Sequence, residues 1–181
     1  YKFLYWSGGL STVHGEEARI KMFYDTTVRA HFAPAAEMLK NGDFELGLLA
    51  WNHWVDTKAA AAEFSTGQGA LRVNLKRPGK QDWQVQLTQA VPLAKGKTYT
   101  VSFTAWARRR QPVTVRLNQN YPPYAAYGYQ TFTIGREKKT YSFTVTINED
   151  DPGSRLEFDF GLGRGTVWLD DVSMTVMTVE D

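Results

Sequence analysis

From about residue 70 onward apolar and polar residues alternate with period two, the pattern of strands that bury one face. Tyr99, Val101, Phe103, Ala105 and Ala107 share a face, with Thr98, Thr100, Ser102 and Thr104 on the other. Tyr141, Phe143, Val145 and Ile147 oppose Ser142, Thr144 and Thr146, and Leu156, Phe158, Phe160 and Leu162 oppose Arg155, Glu157 and Asp159. Shorter apolar rows lie at Leu71, Val73 and Leu75, at Val85 and Leu87, and at Val113, Val115 and Leu117. Turn-forming runs separate the rows: Arg77-Pro78-Gly79, Lys95-Gly96-Lys97, Arg110-Gln111-Pro112 and Asp151-Pro152-Gly153. Ala59 to Ala62 is too short for a helix of consequence. Evenly spaced short strands without intervening helices predict an all-β fold, a jelly-roll β-sandwich of two antiparallel sheets.

Residues 1–37 follow a different pattern. Lys2 to Trp6, Ala18 to Asp25 and Val28 to Phe32 read as strands, and Ala33-Pro34-Ala35-Ala36 as a short linker. Two readings stay open, the β-rich tail of a preceding domain or extra strands on the main sandwich. Residues 38–181 form the principal module.

Composition narrows the function. A chain of 181 residues with 43% apolar and 22% charged residues holds one ordinary domain with a sizeable core. A net charge of +2 is too small to drive nucleic-acid binding. The absence of cysteine excludes disulfides, thiolate metal sites and cysteine nucleophiles. No apolar run approaches the roughly 20 residues of a membrane helix, so no membrane partner is expected. A start at Tyr1 without a signal peptide reads as a piece excised from a longer protein. Six Trp and nine Tyr make flat aromatic surface the chain's most distinctive resource.

The polar faces differ between strands. Rows 98–104 and 140–146 present Ser and Thr, as plain solvated sheets do. Rows 84–88, 114–118 and 155–159 present Gln84, Gln86, Arg116, Asn118, Glu157 and Asp159, long or planar hydrogen-bonding groups gathered on one set of strands. Tyr121-Pro122-Pro123-Tyr124-Ala125-Ala126-Tyr127-Gly128-Tyr129 shows no core periodicity and reads as a loop of aromatic platforms. Trp51, Trp54, Trp106 and Trp168 read as structural. Arg108-Arg109-Arg110 reads as a solvated charge run, with contact to acidic polysaccharide as the alternative.

The strand-rich region opens with Asn41-Gly42-Asp43-Phe44-Glu45-Leu46-Gly47 and closes with Gly165-Thr166-Val167-Trp168-Leu169-Asp170-Asp171-Val172-Ser173-Met174. Trp83-Gln84-Val85-Gln86-Leu87 and Tyr99-Thr100-Val101-Ser102-Phe103 stand between. This ordered set, over about residues 38–176, resembles the carbohydrate-binding modules of the related families four, nine, sixteen and twenty-two. The resemblance implies a jelly roll with a concave ligand cleft. It also implies non-catalytic binding of a β-linked polysaccharide: β-glucan, amorphous cellulose, xylan or glucomannan. Such modules are secreted, and the implied partner is an attached glycoside hydrolase, the module itself being monomeric.

Sugar chemistry suits these residues, because apolar C–H faces stack on aromatic rings and hydroxyl rims take bidentate polar groups. By resemblance Trp83 stacks on sugar and Gln86 hydrogen-bonds it. The second platform is Tyr121 or Tyr124, following Asn118-Gln119, with Tyr127, Arg116, Asn118 and Asp159 completing the cleft. Parity places Trp83 with Val85 and Leu87, in the core, unless the strand bends before Gln84. The resemblance also implies a structural calcium, held by Glu45, the Asp43 carbonyl and Asp170, with Asp171 as the alternative and further carbonyls completing the shell. An enzyme reading would use Glu157 and Asp159 as acid and nucleophile, but no third carboxylate follows in Gly161-Leu162-Gly163. His14, His31 and His53 lack metal-ligand spacing. A protein-binding adhesion or assembly module shares the fold and is the remaining alternative.

Overall fold

The computed structural model describes residues 2–8, 12–14, 17–19, 27–33 and 37–176. Four short strands come first, β1 (Lys2–Gly8), β2 (Thr12–His14), β3 (Glu17–Arg19) and β4 (Val28–Ala33). β1 pairs with β4 and β2 with β3, and among the described residues neither pair joins a larger sheet. The expected strand Ala18 to Asp25 and linker Ala33 to Ala36 fall largely outside the described residues.

Ten strands build the main body: β5 (Asn52–Val55), β6 (Ala61–Gly67), β7 (Ala70–Arg77), β8 (Val85–Ala90), β9 (Thr98–Ala107), β10 (Gln111–Gln119), β11 (Ala126–Ile134), β12 (Lys139–Thr146), β13 (Ser154–Asp159) and β14 (Gly165–Val176). They form two five-stranded antiparallel sheets, ordered β11-β10-β13-β8-β5 and β12-β9-β14-β7-β6. This is the two-sheet jelly roll that the alternation predicts.

The alternating rows supply the core between the sheets. Val101 and Phe103 of β9, Leu71 and Val73 of β7, Val115 and Leu117 of β10 and Leu156 and Phe158 of β13 are all fully buried. Phe103 and Phe158, from opposite sheets, meet edge to face with centroids 5.2 Å apart. Each such side chain contributes about 1.5–3 kcal/mol by leaving water. Two expected positions depart from their rows. Leu162 lies exposed in the loop after β13, because β13 stops at Asp159 and the chain turns through Gly161. A Cβ on Gly161 would lie 2.3 Å from the Gln81 carbonyl oxygen, so that close approach needs glycine. Gln84 faces inward, donating from Nε2 to Asp56 Oδ2 at 3.0 Å and accepting the Lys80 and Gln81 amides.

The opening motif works as a plug that ties the start of the main body to its last strand. Buried Asn41 donates from Nδ2 to the Gly47 and Leu49 carbonyls, at 3.0 and 2.9 Å, and accepts the Leu46 amide on Oδ1. Its own carbonyl accepts the Trp51 indole N–H at 2.9 Å, which fixes Trp51 as a structural residue. Gly42 packs against Val172 of β14 so closely that a Cβ would lie 1.9 Å from the Val172 oxygen. Just upstream, Glu37 accepts the Met38, Leu39 and Met174 amides.

Asn41 also sits at φ 51°, a left-handed conformation that Asn tolerates better than Ala. Asn41→Ala removes three hydrogen bonds to partly exposed backbone groups and should destabilise the domain by about 1–3 kcal/mol. Urea denaturation measures this, and a loss under about 0.5 kcal/mol would show that the plug is not holding the start of the main body.

Candidate functional site

Residues directly opposite on antiparallel strands share a face, so register shows what the first sheet presents outward. One row reads Trp54–Gln86–Asp159–Thr114–Thr131 from β5 to β11. The next reads Asn52–Thr88–Glu157–Arg116–Tyr129, and a third contains Arg155 and Asn118. Above these rows lies a groove of about 590 Å³, lined among others by Trp54, Trp83, Gln86, Arg116, Asn118, Tyr124, Arg155 and Glu157.

The aromatic walls come from one edge of the sheet and from the loop joining β10 to β11. At the β5 edge Trp54 and Trp83 stack with centroids 6.3 Å apart and planes 16° apart, and both are nearly half exposed. Trp83 escapes its core parity because Asp82–Gln84 forms a 3₁₀ turn, the bend that the sequence left open. From the β10–β11 loop Tyr124 lines the groove, with the guanidinium of Arg155 on β13 5.5 Å from its ring centre. Tyr121 instead lies against Gly153, outside the groove lining.

Two expected contacts sit elsewhere. Tyr127 turns away and donates its hydroxyl hydrogen to Asp151 Oδ2 at 2.8 Å. β11 begins at Ala126, so Tyr127 and Tyr129 are strand residues; Tyr129 shares the groove face, with the Arg116 guanidinium 5.7 Å from its ring centre. Asp159 is 1% exposed and lies beneath the floor, not on it. Sequence reasoning took Trp54 as structural and left Arg155 out of the cleft; the alternation of Trp54 with His53, whose ring lies 4.7 Å from that of Phe64, was the available signal for the first.

Glu157 organises the floor. Its carboxylate accepts Gln86 Nε2 at 2.9 Å and Asn118 Nδ2 at 3.5 Å, and pairs with Arg155 and, at 3.8 Å, with Arg116. Arg116 in turn donates to Asp159 Oδ2 and Asp82 Oδ2, both at 2.6 Å. The contact with Asp82 pins the turn that carries Trp83. Three carboxylates therefore meet two guanidiniums, and one shared proton would leave the network neutral. Burial, with Glu157 beside it, pushes the Asp159 carboxyl up to about 8 against the pull of Arg116. Glu157 and Asp159 face one arginine from adjacent positions under the groove, which suits holding side chains in place more than flanking a glycosidic bond.

The residues expected to hold calcium come together only in part. A Cβ on Gly69 would lie 2.9 Å from Glu45 Oε1 and 3.8 Å from the Asp43 carbonyl oxygen, so these two hard oxygens converge on a space that glycine leaves open. Asp170 is turned to Lys138 Nζ, 2.9 Å away, and to the Asp171 amide. Among the described residues no three acidic or histidine side chains gather as a metal cluster.

A family model described as a carbohydrate binding domain matches residues 36–166. The cellulose 1,4-beta-cellobiosidase of Acetivibrio thermocellus is 29% identical over 159 residues, 76% of this chain and 17% of that enzyme's length. A solved CBM4 structure is 27% identical with a TM-score of 0.69, covering 76% of this chain and 99% of its own. The N-terminal cellulose-binding domain of Cellulomonas fimi β-1,4-glucanase C shares the fold, with a TM-score of 0.56 at 24% identity, over 77% of this chain and 95% of that one.

The proton in the floor has a measurable consequence. An ordinary Asp ionises near 3.9 when unfolded, so the native state holds the extra proton from there up to about 8. Stability should then fall as pH rises through that window. Urea denaturation should show a loss of about 1–3 kcal/mol between pH 5 and pH 8, and Asp159→Asn, which has no proton to lose, should flatten that slope. An unchanged slope in the variant would assign the titration to another group.

Proposed function

The chain belongs to the carbohydrate binding domain family matched over residues 36–166, and on that footing we propose that its groove binds one β-linked polysaccharide chain without cleaving it. Candidate ligands are β-glucan, amorphous cellulose, xylan and glucomannan. The observation that carries this reading is the pairing of an aromatic wall at the β5 edge with a second on the β10–β11 loop, and a polar floor between them. From β5 to β10 the groove crosses about 14 Å, three spacings of about 4.8 Å, room for a few sugar units in a row. Flat rings at each end cover C–H faces, while Gln86, Asn118 and the guanidiniums offer donors to hydroxyl rims. An open, wet groove of this kind gives modest affinity, roughly millimolar to micromolar.

The relative's remaining length supports a place beside a catalytic domain. We take the module to be an extracellular accessory that holds an attached glycoside hydrolase on its substrate. Structural calcium belongs to the same proposal. Glu45 and the Asp43 carbonyl would hold it beside Gly69, with other carbonyls or a reoriented Asp170 or Asp171 completing the shell. Its part would be to brace the plug by charge, since calcium takes hard oxygen ligands.

Affinity electrophoresis in gels containing soluble β-glucan, xylan or glucomannan tests the binding directly. Titration calorimetry then separates the contributions. Trp83→Ala, Trp54→Ala or Tyr124→Ala should each cost about 1.5–3 kcal/mol, and Gln86→Ala about 0.5–1.5 kcal/mol because water replaces it in part. Unchanged affinity in all three aromatic variants would remove the groove from the account. For the metal, chelation should lower the melting temperature by several degrees and Glu45→Gln should abolish that response, with saccharide affinity unaltered. A melting curve indifferent to chelator and to added calcium would discard it.

A further inference from the structure

The charge of this chain is small in sum but uneven in place. Arg108, Arg109 and Arg110 join β9 to β10, residues 135–138 join β11 to β12, and Arg164 precedes β14. These loops meet at one end of the sandwich. One groove of about 690 Å³ runs between Arg109, Arg110, Arg136 and Lys139, bordered by Tyr141 and Glu137. A second of about 350 Å³ lies between Arg108, Arg109, Arg164 and Lys76. Arg109 lines both.

The neighbouring lysines have partners, Lys76 with Glu63 and Lys138 with Asp170. Among the described residues none of the five arginines, nor Lys139, forms an ion pair with a carboxylate. The backbone holds them in place all the same. The Ala107 amide donates to the Gly135 carbonyl at 2.7 Å, the Arg108 amide to the Thr166 carbonyl at 3.0 Å, and Arg136 Nε to the Arg108 carbonyl at 3.3 Å. Cations that line one groove without carboxylate partners repel one another, and an anionic ligand would relieve that repulsion. Tyr141, half-buried in the larger groove, stacks on Phe103 with centroids 5.5 Å apart, which fixes its ring, and has the flexible Lys139 with Nζ 5.6 Å from its centre. Guanidiniums that take a carboxylate bidentately, beside a ring that covers a C–H face, match an acidic sugar better than an acidic peptide.

We propose that this end of the sandwich binds a uronate-bearing polysaccharide, at a site separate from the concave groove. Arg110 and Arg116 stand six residues apart along one strand line, roughly 20 Å, so the two sites share no residue and the failure of one leaves the other standing.

The test is native affinity electrophoresis of the chain in gels containing polygalacturonate, at low salt and at about 0.15 M salt, where screening acts over about 8 Å. Retardation is expected in both. The double variant Arg109→Gln/Arg136→Gln should bind at least tenfold more weakly, Tyr141→Ala severalfold more weakly, and Trp83→Ala as the parent does; circular dichroism checks that each is folded. Absence of retardation of the parent would overturn the proposal, as would loss of binding in Trp83→Ala. Equal capture by polyglutamate together with an unaffected Tyr141→Ala would also overturn it, by showing a charge patch without sugar recognition.

Discussion

A carboxylate buried in the middle of a sheet sets the terms for everything above it. Glu157 is 2% exposed on the central strand β13, and an unpartnered charge there would cost several kcal/mol. It is retained because Gln86, Asn118, Arg116 and Arg155 all turn toward it. Those contacts fix the rotamers of the side chains that form the groove floor. Arg116 extends the constraint outward, since its second carboxylate, Asp82, belongs to the turn that holds Trp83 over the groove. Floor and wall are thus parts of one electrostatic network, and the alternating apolar rows beneath supply the rigid sheet on which it rests.

That linkage bears on how such a surface recognises a saccharide. Ordering long polar side chains on binding costs about 0.5–1.5 kcal/mol each, a large share of the free energy available to a shallow groove. Here the ordering is done during folding, by Glu157 and Asp159. Recognition then rests on aromatic faces already in position and on donors already aimed. The plug around Asn41 has a parallel role at the other sheet, where it holds the start of the main body against β14.

Legibility in the sequence followed strand length and parity. Rows of four or more alternating residues, such as Tyr99 to Ala107, were readable because both faces repeat, and so were Gln86, Arg116, Asn118 and Glu157 on the polar side. Trp54 was not, because β5 has four residues and its neighbour Trp51 is a buried indole bonded to Asn41. Tyr127 and Tyr129 exchanged roles for a related reason. Read as loop they are equivalent, and two apart on a regular strand they would share a face, but the register shift between Leu117 and Asn118 leaves Tyr127 unpaired on β11 with its ring packed against the core, while Tyr129 pairs with Arg116 on the groove face. Trp83 depended on a 3₁₀ turn that parity alone does not reveal. Asp159 shares the floor's parity, yet arginine covers it; burial of that kind comes from neighbours on other strands and leaves no local mark.

Two-dimensional ¹H–¹⁵N spectra of the tryptophan indoles test the central claim most directly, because each indole N–H reports its own surroundings. Titrating the protein with cellohexaose, xylohexaose and mannohexaose should shift the Trp54 and Trp83 indole signals with at least one of them, while the signals of buried Trp51 and of the Trp106–Trp168 pair on the opposite sheet stay in place. Shifts confined to Trp106 and Trp168, or no indole shift with any of these sugars at millimolar concentration, would contradict the account.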